Sequence, residues 1–441
     1  MARAKKETAL TPEERLQAAL VPDWEWPHKL PENWCWTYLT KAAECLDNFR
    51  KPINATERAG RNGNVPYYGA TGQVGWIDDF LTDEDLVLLG EDGAPFLDLI
   101  KDKAYLITGK AWVNNHAHIL RSLFGDTGNR YLLHYLNSFN YAGYVNGTTR
   151  LKLTRASMDT IPIPLPPLAE QQRIVDRIES LFAKLDEAKE KAQAVVDSFE
   201  TRKAAILHKA FSGKLTANWR VEHGISMDSW KCVKFSDVLD VRDGTHDSPT
   251  YHDMGYPLIT SKNLKDGQIT DKDIRYISKE DYEKINERSK VDIGDILFAM
   301  IGTIGNPVVV QNEPQFAIKN MALFKNIGRI NPYFVKYYLE SKTVNDKMQK
   351  DAKGSTQKFV SLGYLRAFLI DVPLELEQME IVHILDNLLA EEQQAKETAE
   401  AVLEQIDTIK KSILARAFRG ELGTNNPSEG SALELLRKII E

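Results

Sequence analysis

His116 and His118 stand two residues apart in the run VNNHAHIL. Alternate residues of a strand share a face, so the two imidazoles could meet one metal ion. The corresponding run in the second half of the chain, IKNMALFK, carries Met321 and Leu323 there, side chains that pack rather than ligate. The reading is therefore no metal. Asn331-Pro332-Tyr333 lacks the second proline of the amino-methyltransferase signature and falls where a helix begins. No glycine-rich turn follows a strand in the manner of an S-adenosylmethionine or dinucleotide fold. GxxxxGK[ST] is absent, and no Ser, Cys or His has a visible partner for nucleophilic catalysis. Glu91-Asp92-Gly93 reads as a turn. Cys35, Cys45 and Cys232 form no CxxC pair, which excludes zinc-finger spacing and a disulfide framework and fits a reducing compartment. No catalytic residue emerges.

The bulk properties narrow the class further. The chain has 441 residues, 43% hydrophobic and 27% charged, the composition of a globular protein long enough for two or three domains. No apolar run approaches the ~20 residues needed to span a bilayer. The start, MARAKKETALTPEERL, has charge but no apolar stretch behind it, so it is not read as a secretory signal, and the expected location is cytoplasmic. The net charge of −7 is not the footprint of a protein that holds nucleic acid through bulk positive charge. Any such role must come from local patches or from partners.

What would position functional residues is a long repeat. At an offset of 207 residues, PLAEQQRIVDRIESLF and its continuation align without a gap on LELEQMEIVHILDNLL and its continuation. Pro166 meets Pro373, Glu170-Gln171 meets Glu377-Gln378, and Ala210-Phe211-Ser212-Gly213 meets Ala417-Phe418-Arg419-Gly420. In the first copy Ile174, Ile178, Leu181, Leu185, Ala188, Ala192, Val195 and Phe199 alternate in steps of four and three. In the second, Ile381, Leu385, Leu388, Ala395, Ala399, Val402, Ile406, Ile409 and Ile413 keep the rhythm, with Glu392 as a polar intruder. Such a narrow stripe is a coiled-coil seam. Prolines stand before each copy and a glycine after it, where each is favoured. Each helix should run roughly 65 Å at 1.5 Å per residue. The short connection from Lys214 to Trp230 predicts that the second helix starts near the end of the first, making the pair antiparallel with a globular body at each end.

The repeat reaches weakly into those bodies: Gly147-Thr148-Thr149 matches Gly354-Ser355-Thr356, Tyr135-Leu136-Asn137-Ser138 resembles Tyr338-Leu339-Glu340-Ser341, and Asn115 falls near Asn320. Short alternating apolar runs with glycine-rich turns predict strands, among them Ala104 to Thr108 and Asn306 to Val310. The expected fold class is α+β: two mixed α/β bodies related by an internal pseudo-twofold repeat, separated by two long helices forming an antiparallel coiled coil. The expected segments are an N-terminal segment 1–23, a first body 24–165, a long helix 166–213, a linker 214–229, a second body 230–372, a second long helix 373–420 and a tail 421–441 with a short helix. The second body carries a slight basic excess and the first does not.

IPIPLPPLAEQQRIVDRIESLF running to AFSGKLTANWR, the second copy running to AFRGELG, and YYGATG, GEDGA, NNHAH and GDILFAMIGTIG in the bodies together resemble type I restriction–modification specificity subunits. The resemblance spans about Trp34 to Gly423. It implies that each body is a target recognition domain reading one half of an asymmetric bipartite DNA site. The coiled coil would set the spacing and dock two methyltransferase subunits, with motor-nuclease subunits joining and no chemistry performed by this chain. No cofactor would bind here; S-adenosylmethionine would sit on the methyltransferase and ATP on the motor-nuclease. No membrane partner is expected. Base edges are read by Asn, Gln, Arg, Lys, Ser or Thr on projecting loops. The candidates are Arg61, Asn62, Asn64, Tyr67, Tyr68 and Thr71 in the first body, and Arg242, Thr245, His246, Ser261, Lys262 and Asn263 in the second. Thr148, Arg150 and Lys152, and Ser355, Thr356 and Lys358, are candidates for holding phosphates. An enzyme fused to its own reader and a spacer that never touches DNA are the competing classes; the missing cofactor loop opposes the first, and salt dependence of binding separates the second.

Overall fold

The computed structural model describes residues 11–355 and 357–440. It divides into two compact units: Met1–Gln193 with Glu400–Glu441, and Ala194–Ala399. Both long helices, Leu168–Phe211 and Glu375–Phe418, are shared, each giving one half to each unit.

The first unit holds a four-stranded antiparallel sheet in the order Ala43–Cys45, Ala117–Ser122, Leu86–Gly90, Ala104–Ile107. Leu86–Gly90 is buried throughout, as a central apolar run covered on both faces should be. A second four-stranded sheet, Gly72–Ile77, Val65–Gly69, Lys110–Val113, Thr82–Asp83, contains one parallel pair, Val65–Gly69 with Lys110–Val113. The helix Gly125–Ser138 packs on the first of the two sheets. Cys35–Tyr38 pairs with Pro162–Leu165 immediately ahead of the long helix.

The second unit repeats this wiring. Its four-stranded sheet runs Leu239–Asp243, Ala322–Asn326, Ile296–Ala299, Gly305–Val309. Its smaller sheet, Arg275–Ile277, Tyr256–Thr260, Ala317–Lys319, again contains one parallel pair, Tyr256–Thr260 with Ala317–Lys319. The helix Pro332–Glu340 takes the place of Gly125–Ser138, and Lys231–Lys234 pairs with Leu369–Val372 ahead of the second long helix. Asn331-Pro332-Tyr333 is the start of that helix: the Asn331 side chain accepts from the Tyr333 and Phe334 N–H groups and Pro332 occupies the first turn, ordinary capping chemistry.

Within each unit the long helices lie antiparallel. In the first, Ile174 and Ile178 share a core with Leu414, Ala417 and Phe418, while Lys410 reaches Asp186 at 2.6 Å and lies over the Phe182 ring. In the second, Leu207 and Ala210 share a core with Ile381, Val382 and Leu385. There Arg202 meets Glu392 at 2.6 Å, and Lys396 lies over Phe199. Glu392, the polar interruption of the stripe, is thus held by a cation on the facing helix. Both helices end in the same way. Gly213 and Gly420 take φ of +70° and +78°; Gly213 and Lys214 N–H bond back to Ala210 and Lys209, as Gly420 and Glu421 do to Ala417 and Arg416. This is a Schellman cap, which needs the left-handed residue that glycine supplies.

On the first helix Ile174, Ile178, Ala192 and Phe199 are buried, and Leu181, Leu185, Ala188 and Val195 partly so. On the second, Ile381, Leu385, Ala399 and Ile406 are buried and Leu388 and Ile413 partly so, but Ala395, Val402 and Ile409 are exposed. Their neighbours Lys396, Leu403 and Lys410 face inward instead. A strict 3.5-residue rhythm does not hold over this length: a helix turns every 3.6 residues, and here the inner stripe takes two successive steps of four (Leu388, Glu392, Lys396), a local stutter.

A buried carboxylate anchors the start of each long helix. Glu170 accepts from the Asn425 N–H and the Thr424 hydroxyl, both at 3.0 Å, and from Arg173. Glu377 accepts from the Thr216 hydroxyl at 2.7 Å, the Trp230 indole at 3.0 Å and Arg220 at 2.5 Å. The adjacent Gln171 and Gln378 amides donate to Pro166 and Pro373 carbonyls. The segment after one helix therefore fastens the start of the other, in both units. The tail helix Ala432–Ile440 packs against Pro12–Ala19 through Ala19, Ala432 and Leu436.

Candidate nucleic-acid interface

Each unit opens a cleft at the same place in its wiring. The first, 580 Å³, is lined by the turn Gly69–Thr71 after the parallel strand, by Asp92–Ala94, by Asn114 and His116 between two strands, and by Thr149–Leu151. The second, 730 Å³, is lined by Thr260–Lys262 after the parallel strand, by Ile301, by Lys319 and Asn320 between two strands, and by Gln357, with Tyr251 and Asp273–Arg275 added. Each cleft is lined by segments from separate parts of its body, brought together beside the parallel strand pair.

The strand register fixes a correspondence. Pro66 and Pro257 occupy the second place of matching strands. Tyr67 then faces Trp112 as Leu258 faces Ala317. Two places on, Thr260 faces Lys319, and a side chain on Gly69 would meet the Asn114 amide at 3.4 Å. Asn114 and Lys319 therefore hold equivalent positions. Each is 8% exposed and each lines its cleft.

The linings differ in charge. In the first cleft Asp92 pairs with Arg150 at 2.6 Å and lies 3.5 Å from His116, so its cation is answered from within. In the second, Lys262, Arg275 and Lys319 stand against Asp273, and Arg275 lies over the Tyr251 ring. The basic excess of the second body is concentrated here.

Of the sequence-derived candidates, Thr71 and Arg150 line the first cleft and Ser261 and Lys262 the second. Asn62, Asn64, Thr148, Ser355 and Lys358 are exposed. Thr356 lies outside the described residues. Lys152 is exposed but pairs with Glu91 at 3.0 Å. Burial alone would raise the Glu91 carboxyl, but Arg50 and Lys152 outweigh it and hold it below its usual range. Of the remaining candidates Tyr67 and Asn263 are corrected to interior positions, and the others have partners within the body. Tyr67 is a core residue at 1% exposure, its hydroxyl bonded to the Ile53 backbone, because Val65–Gly69 is a strand and not a loop. Tyr68 packs against Tyr105. Arg61 is tied to Asp78 at 2.6 Å and lies over Trp112. Asn263 is buried, accepting from the Thr260 N–H and donating to the Thr270 and Lys272 carbonyls. Arg242 pairs with Asp240, and the Thr245 hydroxyl accepts from the Asp247 N–H. His246 lies between Asn320 and Asp243, 2.9 Å from each. Asn114, His116, Arg275, Lys319, Asn320 and Gln357 were not among the candidates. The matched runs VNNHAHIL and IKNMALFK held the signal for four of them.

His116 and His118 do not converge. His116 borders the cleft, whereas His118 is buried, 2.7 Å from Asp47 and 2.9 Å from the Leu153 carbonyl. Cys45, Asp47 and His118 form a group of ligand-type side chains. Asp47 also takes the Ile119 N–H and Arg50, and burial pushes the Cys45 thiol up to about 12. The group works as a hydrogen-bonded brace within the sheet.

Two clefts on duplicated α/β bodies, each body followed by one of two antiparallel helices, define a protein of paired recognition modules. The family model described as "Type I restriction modification DNA specificity domain" matches residues 45–196 and 227–405, and the chain belongs to that family. It is 29% identical to a Haemophilus influenzae chain provisionally named a type I restriction enzyme specificity subunit, over 80% of this chain and 86% of that one. It is 26% identical to the type I restriction enzyme EcoKI specificity subunit of Escherichia coli strain K12, over 70% of each. The crystal structure of the HsdS subunit from Thermoanaerobacter tengcongensis shares its fold at a TM-score of 0.63 and 19% identity, over 90% of this chain and 99% of that one. Among the described residues no helix is long and apolar enough to cross a membrane.

Proposed function

We propose that this chain is the non-catalytic DNA-recognition subunit of a type I restriction–modification complex working in the cytoplasm. Residues 24–165 read one half of an asymmetric bipartite site and residues 230–372 the other. The helices 166–213 and 373–420 set the distance between the halves and dock two methyltransferase subunits, which supply S-adenosylmethionine; motor-nuclease subunits that use ATP complete the assembly. The observation that carries this reading is one body built twice, with its cleft in the same place and lined differently each time. Unlike readers held on a twofold frame recognise unlike half-sites at a fixed spacing.

The test is a fluorescence-anisotropy titration of the chain, assembled with its methyltransferase partner, against duplexes carrying the motif found by methylome sequencing of the host. One bipartite duplex should bind on the order of 10³-fold or more tightly than scrambled duplexes at moderate salt. Equal affinity for all duplexes would overturn the proposal.

A further inference from the structure

We propose that Lys319, Arg275 and Lys262 form a seat for a DNA backbone phosphate in the second cleft, and that the first cleft has no equivalent. The proposal rests on the reading of the second body as a DNA reader.

Lys319 cannot yield by moving its backbone. Its strand pairs with Thr260 on one side and bridges to Thr245 on the other. The residue is 8% exposed, and its Nζ donates to the Ser248 hydroxyl at 2.8 Å. Among the described residues no carboxylate lies within salt-bridge distance of that nitrogen. A lysine brings three donors, and a buried cation answered by one neutral hydroxyl is a costly arrangement unless an anion completes it. The cleft supplies the access, and Arg275 and Lys262 on its rim supply further positive charge that outnumbers the one carboxylate of the lining, Asp273.

The shape decides which part of a duplex enters. Base edges lie at the bottom of the grooves, so reading them takes side chains that project from the protein. Lys319 is recessed, and the part of a duplex that projects toward a recess is its phosphate ridge. At the equivalent position the first cleft has the neutral Asn114, and Arg150 there is already paired with Asp92. The two clefts therefore meet the backbone unequally, the second with a cation at the position where the first has a neutral amide.

The experiment titrates target and scrambled duplexes with the full chain in its methyltransferase complex over a series of salt concentrations, and reads the methylated motif in cells. Lys319→Met keeps the apolar stem and removes the donors. It should weaken binding to both duplexes by the same factor, roughly tenfold at 0.1 M salt, and reduce the slope of log affinity against log salt by about one. The methylated motif should not change, and Lys319→Arg should keep the slope. Arg275→Gln and Lys262→Gln, at the rim, carry the same expectation should Lys319→Met fail to assemble. A motif that becomes degenerate at one base pair would assign Lys319 to base reading and overturn the proposal, as would unchanged affinity and slope. A wild-type complex that prefers no duplex would instead overturn the function proposed above, and the slope change would still be measurable.

Discussion

His246 lies between the Asn320 side chain and the Asp243 carboxylate, with Arg288 bonded to the far side of Asp243 at 2.7 Å. The hydrogen bond to Asn320, then that to Asp243, raise the ring above its ordinary value of 6.5, against desolvation and Arg288. A raised value stabilises the fold through the protonated form: the contribution is complete below about 6.5 and disappears as pH climbs through the raised value. Thermal melts of wild type and His246→Asn should therefore differ most near pH 6 and converge near pH 9, by about the same margin for any salt-matched buffer; a difference that persists unchanged at the higher pH would contradict this. At this scale the sequence was legible by type but not by place. Tyr67 and Asn263 have the side chains of a reader and the surroundings of a core. Asn114 and Lys319 gain their positions from a parallel pairing between segments more than forty residues apart, and no local pattern announces such a register.

The long helices were legible almost entirely, because proline, glycine and a narrow apolar stripe are local signals. The exception, the displaced stripe at Ala395, Val402 and Ile409, arises from the geometry of a straight helix and not from residue type. The paired Glu-Gln at the start of each copy was visible as a repeat, but its work was not, since its partners lie far along the chain. Glu377→Ala would leave Arg220, 7% exposed, as a buried cation without its carboxylate. The expected loss is about 3–5 kcal/mol, read as a lower urea midpoint, while replacement of an exposed helix residue such as Glu391 should shift the midpoint little. An equal shift for both would remove the special role of the anchor.

For the whole molecule, the duplicated design was readable because it is written twice at one offset. The placement of the clefts was not, because their linings come from segments far apart in the chain. Four residues inserted after Ala192 would lengthen the first helix by ~6 Å and rotate its C-terminal half by roughly 40°. The expected outcome is a methylated motif with an altered gap between its halves or a complex that no longer assembles; the same motif from an assembled complex would reject the helices as the determinant of spacing. The division of the chain also sets an order of events at the ribosome. Residues 194–399 form a contiguous unit and can close as soon as they emerge, whereas the first unit draws Leu414, Ala417 and Phe418 into its core and Asn425 onto Glu170. The usual tendency of earlier-made domains to mature first is reversed here: the body made first must wait, unfinished, for residues 414–425 to be translated.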